Sequence, residues 1–250
     1  MHTLRNIRLF VDQKLKPASL LTLSGAQSHY LSNVMRCSCG EAIKCFNPDD
    51  GEFLCRITEC KKNGVVILPE QNIRHPRPEP DIWLIFSPLK KDKTDFVIEK
   101  SVELGVSRII PLITQRTNAA HIKTERFVLQ AVEATEQCER LSIPTISSAQ
   151  TLEELLSSWD EKRHICFMDE RRAGQDILSA FRQLEGSPCA VLIGPEGGFT
   201  DSEAQLLNSQ QYVTNINLGP RILRAETAAT AALSVWQALN GDWQTAKEAL

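Results

Sequence analysis

The 250-residue chain has no run of about 18 apolar residues, so nothing in it reads as a membrane-spanning helix and no membrane partner is expected. Its first eight residues, Met-His-Thr-Leu-Arg-Asn-Ile-Arg, lack the apolar core of a secretion signal, and the expected location is the cytoplasm. An excess of positive charge is missing too. A net charge of −3 argues against a generally basic nucleic-acid binder, while leaving room for a local basic patch. There is no internal repeat, which removes solenoids and propellers, and no low-complexity segment. No glycine loop continues into Gly-Lys-Ser/Thr or follows G-x-G-x-x-G, so neither the phosphate-binding P-loop nor the dinucleotide fingerprint is present. Five of the eight cysteines (Cys37, Cys39, Cys45, Cys55, Cys60) lie close together, but their spacing fits no zinc pattern. They read as reduced thiols serving as small apolar residues, and no metal is expected.

What is present is an ordinary globular balance, 42% hydrophobic and 24% charged, on a chain long enough for one large or two smaller domains. His75-Pro-Arg-Pro-Glu-Pro80 places three prolines in six residues, which neither a helix nor a central strand can carry. It divides the chain into an expected first domain, 1–74, a linker, 75–80, and a second domain, 81–245. The first domain reads as closely spaced short strands around 7–11, 41–46, 52–57 and 64–68, with one helix over 26–35, and suggests a small β-barrel. In the second, apolar strands at 82–86, 107–113, 164–168, 190–193 and 213–218 alternate with helices. These are expected at 93–104, 124–141, 176–184 and 225–239, with capping boxes Thr151-x-x-Glu154 and Thr200-x-x-Glu203 opening two more. In the first of these helices Phe96, Val97, Ile98 and Val102 are expected to face inward. Alternation of this kind points to an α/β domain built on a parallel sheet.

Two segments could carry chemistry. In Leu192-Ile-Gly-Pro-Glu-Gly-Gly-Phe-Thr200 an apolar strand enters a loop with three glycines before a capped helix. A plain strand–helix turn needs one glycine. Three allow a ligand to approach the backbone closely, at the strand ends where parallel sheets bind ligands. Leu218-Gly-Pro-Arg-Ile-Leu-Arg-Ala-Glu-Thr-Ala-Ala229 repeats the design, ending in an alanine-rich helix. Glu226 near that helix start also suits the macrodipole, a purely structural reading. Along 124–141, Glu133, Gln137 and Arg140 share a polar face that a salt-bridged surface would also explain.

Taken together with 29–36 (His-Tyr-Leu-Ser-Asn-Val-Met-Arg), 100–106 (Lys-Ser-Val-Glu-Leu-Gly-Val) and 133–140 (Glu-Ala-Thr-Glu-Gln-Cys-Glu-Arg), these loops resemble the SPOUT superfamily of methyltransferases. Within it they are similar to the RsmE-type 16S ribosomal RNA uridine N3-methyltransferases. Tyr30 and Met35 stand where leucine is commoner, and Gln115-Arg116-Thr117-Asn118 stands where the family often has Glu-Arg-Ser. The resemblance implies a C-terminal domain with a deep trefoil knot, preceded by a PUA- or OB-like RNA-binding barrel. It implies S-adenosyl-L-methionine held by Leu192, Ile193, Gly194, Pro195, Glu196, Gly197 and Gly198 on one side. On the other side it implies Leu218, Gly219, Ile222, Leu223, Arg224, Thr227 and Ala228. It further implies a homodimer acting on 16S ribosomal RNA or the small ribosomal subunit. Arg116, Arg224 and Glu226 are the candidate catalytic residues, an arginine facing the developing uracil anion and Glu226 orienting it or taking the proton. Arg5, Arg8, Arg36, Lys90, Lys91 and Lys93 are candidate phosphate contacts. The alternatives are a ribose 2′-O-methyltransferase of the same superfamily, disfavoured by the loop sequences, and a non-catalytic RNA-binding assembly factor.

Overall fold

The three linker prolines leave 75–81 without helix or strand. The computed structural model describes residues 4–61, 64–118, 122–171 and 174–244; position 245, the expected end of the second domain, lies outside them. The chain forms two compact units, one from residues up to 78 together with 135–143, the other from 79–134 and 144 onward. Nothing in the composition of 135–143 announces its return to the first unit.

In that unit β1 (Leu4–Phe10), β2 (Leu21–Thr22), β3 (Ala42–Asn47), β4 (Gly51–Lys61) and β5 (Gly64–Arg74) form one sheet in the order β1-β3-β4-β5-β2. β1 pairs with β3 in parallel and the remaining ladders are antiparallel. The β3–β4 hairpin turns where the sequence suggests. Asn47 Oδ1 accepts the amides of Asp49 and Asp50, and Gly51 adopts φ +88°, with the Arg74 carbonyl where a Cβ would be. Alternating residues including Ile7, Leu9, Ile43, Cys45, Phe53, Cys55 and Ile67 fill the core. The Cys45 thiol, hydrogen-bonded to Cys55 and buried, is pushed well above the ordinary thiol range. All eight cysteines are free, and no cluster of three metal-ligating side chains occurs among the described residues. The expected helix over 26–35 is a capped turn, α1 (Gly25–His29), running into a π turn, Tyr30–Val34.

The second unit carries a sheet in which every described pairing is parallel. Its strands are β6 (Ile82–Phe86), β7 (Arg108–Ile113), β8 (Thr145–Ile146), β9 (Gln150–Thr151), β10 (His164–Met168), β11 (Gln175–Asp176), β12 (Cys189–Ile193) and β13 (Val213–Asn217). Their order is β11-β13-β10-β12-β6-β7-β8, with β9 beside β7. The helices are α2 (Lys91–Glu103), α3 (Thr124–Gln137), α4 (Leu152–Ser157), α5 (Ile177–Gln183), α6 (Asp201–Asn208) and α7 (Ala225–Asn240). The last turn of α3 belongs to the first unit. Both expected capping boxes form. None of the described helices is long and apolar enough to cross a membrane.

Two expectations about helices fail for identifiable reasons. Phe96 is 41% exposed, because Val97, Ile98, Ser101 and Val102 already define the buried face of α2 and residue 96 lies about 100° round from 97. Its ring takes the Lys100 ammonium instead, 5.6 Å from the centroid. α3 stops at Gln137 rather than 141, and Glu139 takes φ +62°. α7 buries Ala228, Ala229 and Ala232 against its neighbours, and α2 and α7 pack together. Gln237 locks this arrangement by donating to the Leu104 carbonyl at the C-terminus of α2. Gly105 follows at φ +75°, and the Gln237 amide lies 2.5 Å from where its Cβ would be.

Candidate cofactor cavity

Three adjacent strands of the second unit, β13, β10 and β12, end side by side, so their following loops must crowd together. Between them lies a cavity of about 550 Å³, a size suited to a small organic ligand. One wall is the end of β12 and the loop after it, residues 193–198; the other runs from the end of β13 into the first turn of α7, Leu218, Gly219, 221–225 and Ala228. Met168, Asp169 and Glu170, at the end of β10, form the floor between them, and Lys93 reaches in from the first turn of α2.

Two of the three glycines of the first loop, Gly194 and Gly198, have no room for a side chain. A Cβ on Gly194 would lie 2.6 Å from the Phe199 ring, which is buried and packs edge-on against Phe167 at 5.1 Å. Gly197 faces the Arg116 side chain, whose guanidinium donates to the Gly197 carbonyl at 2.6 Å. Gly198 adopts φ +68° with the Glu170 carboxylate where its Cβ would be. The loop is fixed at its far end by Glu203. This buried carboxylate accepts from the Thr200 amide at 2.8 Å, the Thr200 hydroxyl at 2.9 Å and the Gln115 amide at 2.8 Å. It therefore also positions the segment bearing Arg116. Hydrogen bonds to a charged acceptor contribute about 1.5–3 kcal/mol each. Glu203→Ala is accordingly expected to lower unfolding free energy by at least about 2 kcal/mol in urea titrations.

Of the residues expected at the cofactor, Ile193, Gly194, Pro195, Glu196, Gly197, Gly198, Leu218, Gly219, Ile222, Leu223, Arg224 and Ala228 line this cavity. Leu192 and Thr227 do not: Leu192 points into the core, and Thr227 is exposed on α7. Arg224 stands at the N-cap of α7 with its side chain exposed. Glu226 is behind the lining, its side chain 16% exposed, with Oε1 3.8 Å from Lys93 Nζ; its other oxygen, Oε2, is buried without a hydrogen-bond partner among the described residues. Met168, Asp169, Glu170, Arg221 and Ala225 line the cavity as well, although no local sequence pattern marks them. The strand end at 168 was visible, but its place between the two loops depends on the strand order.

The candidate phosphate contacts divide. Arg8 is withdrawn from solvent and is a structural residue, not a phosphate contact. Its side chain is 8% exposed, paired with Glu52, donating to the Thr135 and Arg140 carbonyls and lying 3.6 Å over the Phe46 ring. Arg5 donates to the Met35 carbonyl at 2.6 Å and is 3.5 Å from Glu41. Arg36 is exposed at φ +52°, and Lys90 and Lys91 are exposed at the start of α2. Lys93 is paired with Glu196 and belongs to the cavity; the pairing holds the Glu196 carboxyl below its ordinary range. Gln137 and Arg140 fall in the first unit.

Residues 76–237 match the family described as RNA methyltransferase domain, and residues 23–70 match RNA methyltransferase PUA domain. The chain is 33% identical to the ribosomal RNA small subunit methyltransferase E of Rickettsia conorii, over 91% of this chain and 93% of that one. It is 33% identical to its namesake in Bacillus subtilis, over 91% and 94%. A solved ribosomal RNA small subunit methyltransferase E from Neisseria gonorrhoeae, bound to S-adenosyl methionine, superposes with a TM-score of 0.85 at 28% identity, covering 96% of this chain and all of that one. With such matches along nearly its whole length, the chain belongs to the family of the ribosomal RNA small subunit methyltransferases E.

Proposed function

We propose that this chain transfers the methyl group of S-adenosyl-L-methionine to N3 of a uridine in 16S ribosomal RNA, with residues 81–245 binding the donor and 1–74 gripping RNA. The observation carrying the proposal is the cavity at the ends of β12, β10 and β13, whose walls are two glycine-bearing loops and whose volume, about 550 Å³, accommodates the donor. Added Cβ atoms at Gly194 and Gly198 would press on Phe199 and Glu170, so the cradle depends on bare backbone. In the proposed complex, backbone groups of 193–198 and 218–223 hold the adenine and methionine portions. When bound, the sulfonium supplies an electrophilic methyl group. The trefoil knot implied by the resemblance is part of this proposal, as are a homodimer, a small-subunit substrate and a cytoplasmic location.

The chain's own contribution is position and electrostatics. Uridine N3 becomes a good nucleophile only after losing its proton. With an N3 pKa about two units above ambient, that loss costs roughly 3 kcal/mol. Arg224, exposed at the cavity rim, supplies positive charge on the acceptor's side. Arg116 holds the Gly197 carbonyl and so fixes the loop. Arg36, Lys90 and Lys91 remain the exposed candidates for phosphate.

The test incubates the protein with labelled S-adenosyl-L-methionine and either 16S RNA or small-subunit particles, then maps modified nucleosides by mass spectrometry. N3-methyluridine is the expected product. A 2′-O-methyl nucleoside would assign the ribose reaction instead, and donor binding without any transfer would leave an RNA-binding factor.

A further inference from the structure

The sequence offers Lys93 as one of six candidate phosphate contacts. Its surroundings set it apart. It occupies the first turn of α2, lines the cavity, and its ammonium is shared between two carboxylates, Glu196 of the first loop and Glu226 of α7. An ammonium has three N–H donors and no acceptor. Glu196 takes one in a tight pair, and Glu226, at 3.8 Å, is beyond hydrogen-bond reach but attracts the ammonium by its charge. No acceptor for the others is found among the described residues. Glu226 itself is anchored in a manner that makes little sense for a surface residue. Its side chain is largely buried, and Oε2 is enclosed without a partner. Burying a carboxylate oxygen without a hydrogen bond is costly. The Lys93 ammonium, 3.8 Å from the other oxygen, is the opposite charge that offsets part of that cost.

We infer that Lys93 is a catalytic residue. Its free N–H donates to a carbonyl oxygen of the acceptor uracil as N3 loses its proton, and Glu226 is the positioning residue that aims it. This rests on the proposed uridine N3 reaction. In the step, the N3–H bond breaks and the proton leaves to water. The electron pair stays on the ring, spread over N3 and its two flanking carbonyl oxygens, and then forms the bond from N3 to the incoming methyl carbon. A hydrogen bond that strengthens as the oxygen becomes negative lowers the barrier, whereas one of constant strength does not. Lys93 is well placed for this because its carrier, α2, is a packed helix and its two carboxylate partners come from separate elements, the loop after β12 and the first turn of α7.

The assignment is tested with Lys93→Met, Lys93→Arg and Glu226→Gln. Loss of one such donor typically lowers kcat about 100–1000-fold. Lys93→Met is expected to show that loss near neutral pH with donor affinity little changed in calorimetry, and to recover progressively as pH rises and the uracil ionises unaided. Lys93→Arg recovers part of the rate, and Glu226→Gln gives a smaller loss with the same pH signature. A second readout needs neither turnover nor donor. In RNA carrying 5-fluorouridine at the target, the ¹⁹F titration of the bound base is expected at lower pH with the wild-type protein than with Lys93→Met. A deficit that stays constant with pH, coincident ¹⁹F titrations, or a large loss of donor affinity at unchanged kcat would overturn the role of Lys93. Failure of the wild-type protein to methylate uridine N3 would instead overturn the reading beneath it.

Discussion

Replacing Gly194 with alanine is expected to weaken S-adenosyl-L-methionine binding by about 100-fold, roughly 2.7 kcal/mol, and by more than Gly198→Ala does. The two substitutions meet different obstacles. At 194 the new methyl would lie 2.6 Å from the Phe199 ring, which is buried and wedged edge-on against Phe167 in the core under the sheet ends. That ring has nowhere to go, so the loop backbone must move, and the backbone is the proposed binding surface. At 198 the obstruction is the Glu170 carboxylate, the end of a flexible side chain that can swing aside. What remains there is the cost of φ +68° for a residue with a Cβ, about 1–2 kcal/mol. Calorimetric titration of both variants, with thermal denaturation to establish that they fold, checks the ranking. Equal affinities for wild type and Gly194→Ala would show that the donor does not depend on this loop.

The loops were legible in the sequence because they break local rules. Three glycines at 194, 197 and 198 exceed what a turn needs, and the apolar runs on either side marked the strand and the capped helix. The strands of the second unit were equally plain, since in a parallel sheet covered on both faces they read as continuous apolar runs such as Ile82-Trp-Leu-Ile-Phe86. What stayed hidden depended on spatial order. Met168, Asp169 and Glu170 form the cavity floor only because β10 lies between β13 and β12, an order that no local pattern encodes. Arg8 misled for the same reason. A basic residue in an N-terminal strand looks like a surface cation until its partners, 44 and 127 positions away in sequence, are known. The first unit's claim on 135–143 is the largest such omission. That segment is tied to the first unit by Arg8, Arg74 and the Phe10 amide, and no signal in the linker announces it.

Glu52→Ala is expected to cost about 3–5 kcal/mol, the range for removing one partner of a buried ion pair. Glu52 sits within the first unit at 2% exposure and holds two guanidiniums, Arg8 and Arg74, one on each oxygen. Those arginines in turn close off the end of α3: Arg8 donates to the Thr135 carbonyl and Arg74 to the Glu139 carbonyl, each at 2.6 Å. A helix C-terminus leaves its last carbonyls without intrahelical donors, and cations there are favourable. Burial, with the neighbouring Arg74 cation adding to it, pushes the Arg8 guanidinium below its ordinary pKa, and Glu52 opposes that shift. Without Glu52, the withdrawn Arg8 would be left beside the Arg74 cation with no carboxylate between them. All four tryptophans, Trp83, Trp159, Trp236 and Trp243, belong to the second unit, so their fluorescence reports on it while far-ultraviolet circular dichroism reports on both. In Glu52→Ala the circular dichroism transition in urea should therefore begin well before the fluorescence transition, a separation larger than in the wild type. Replacing the cluster with apolar side chains, Glu52→Leu with Arg8→Met, should restore part of the loss, because the penalty lies in the unpaired charge rather than in the missing bridge. Coincident, unshifted transitions in the single variant would mean that the arginines hold the end of α3 without their carboxylate.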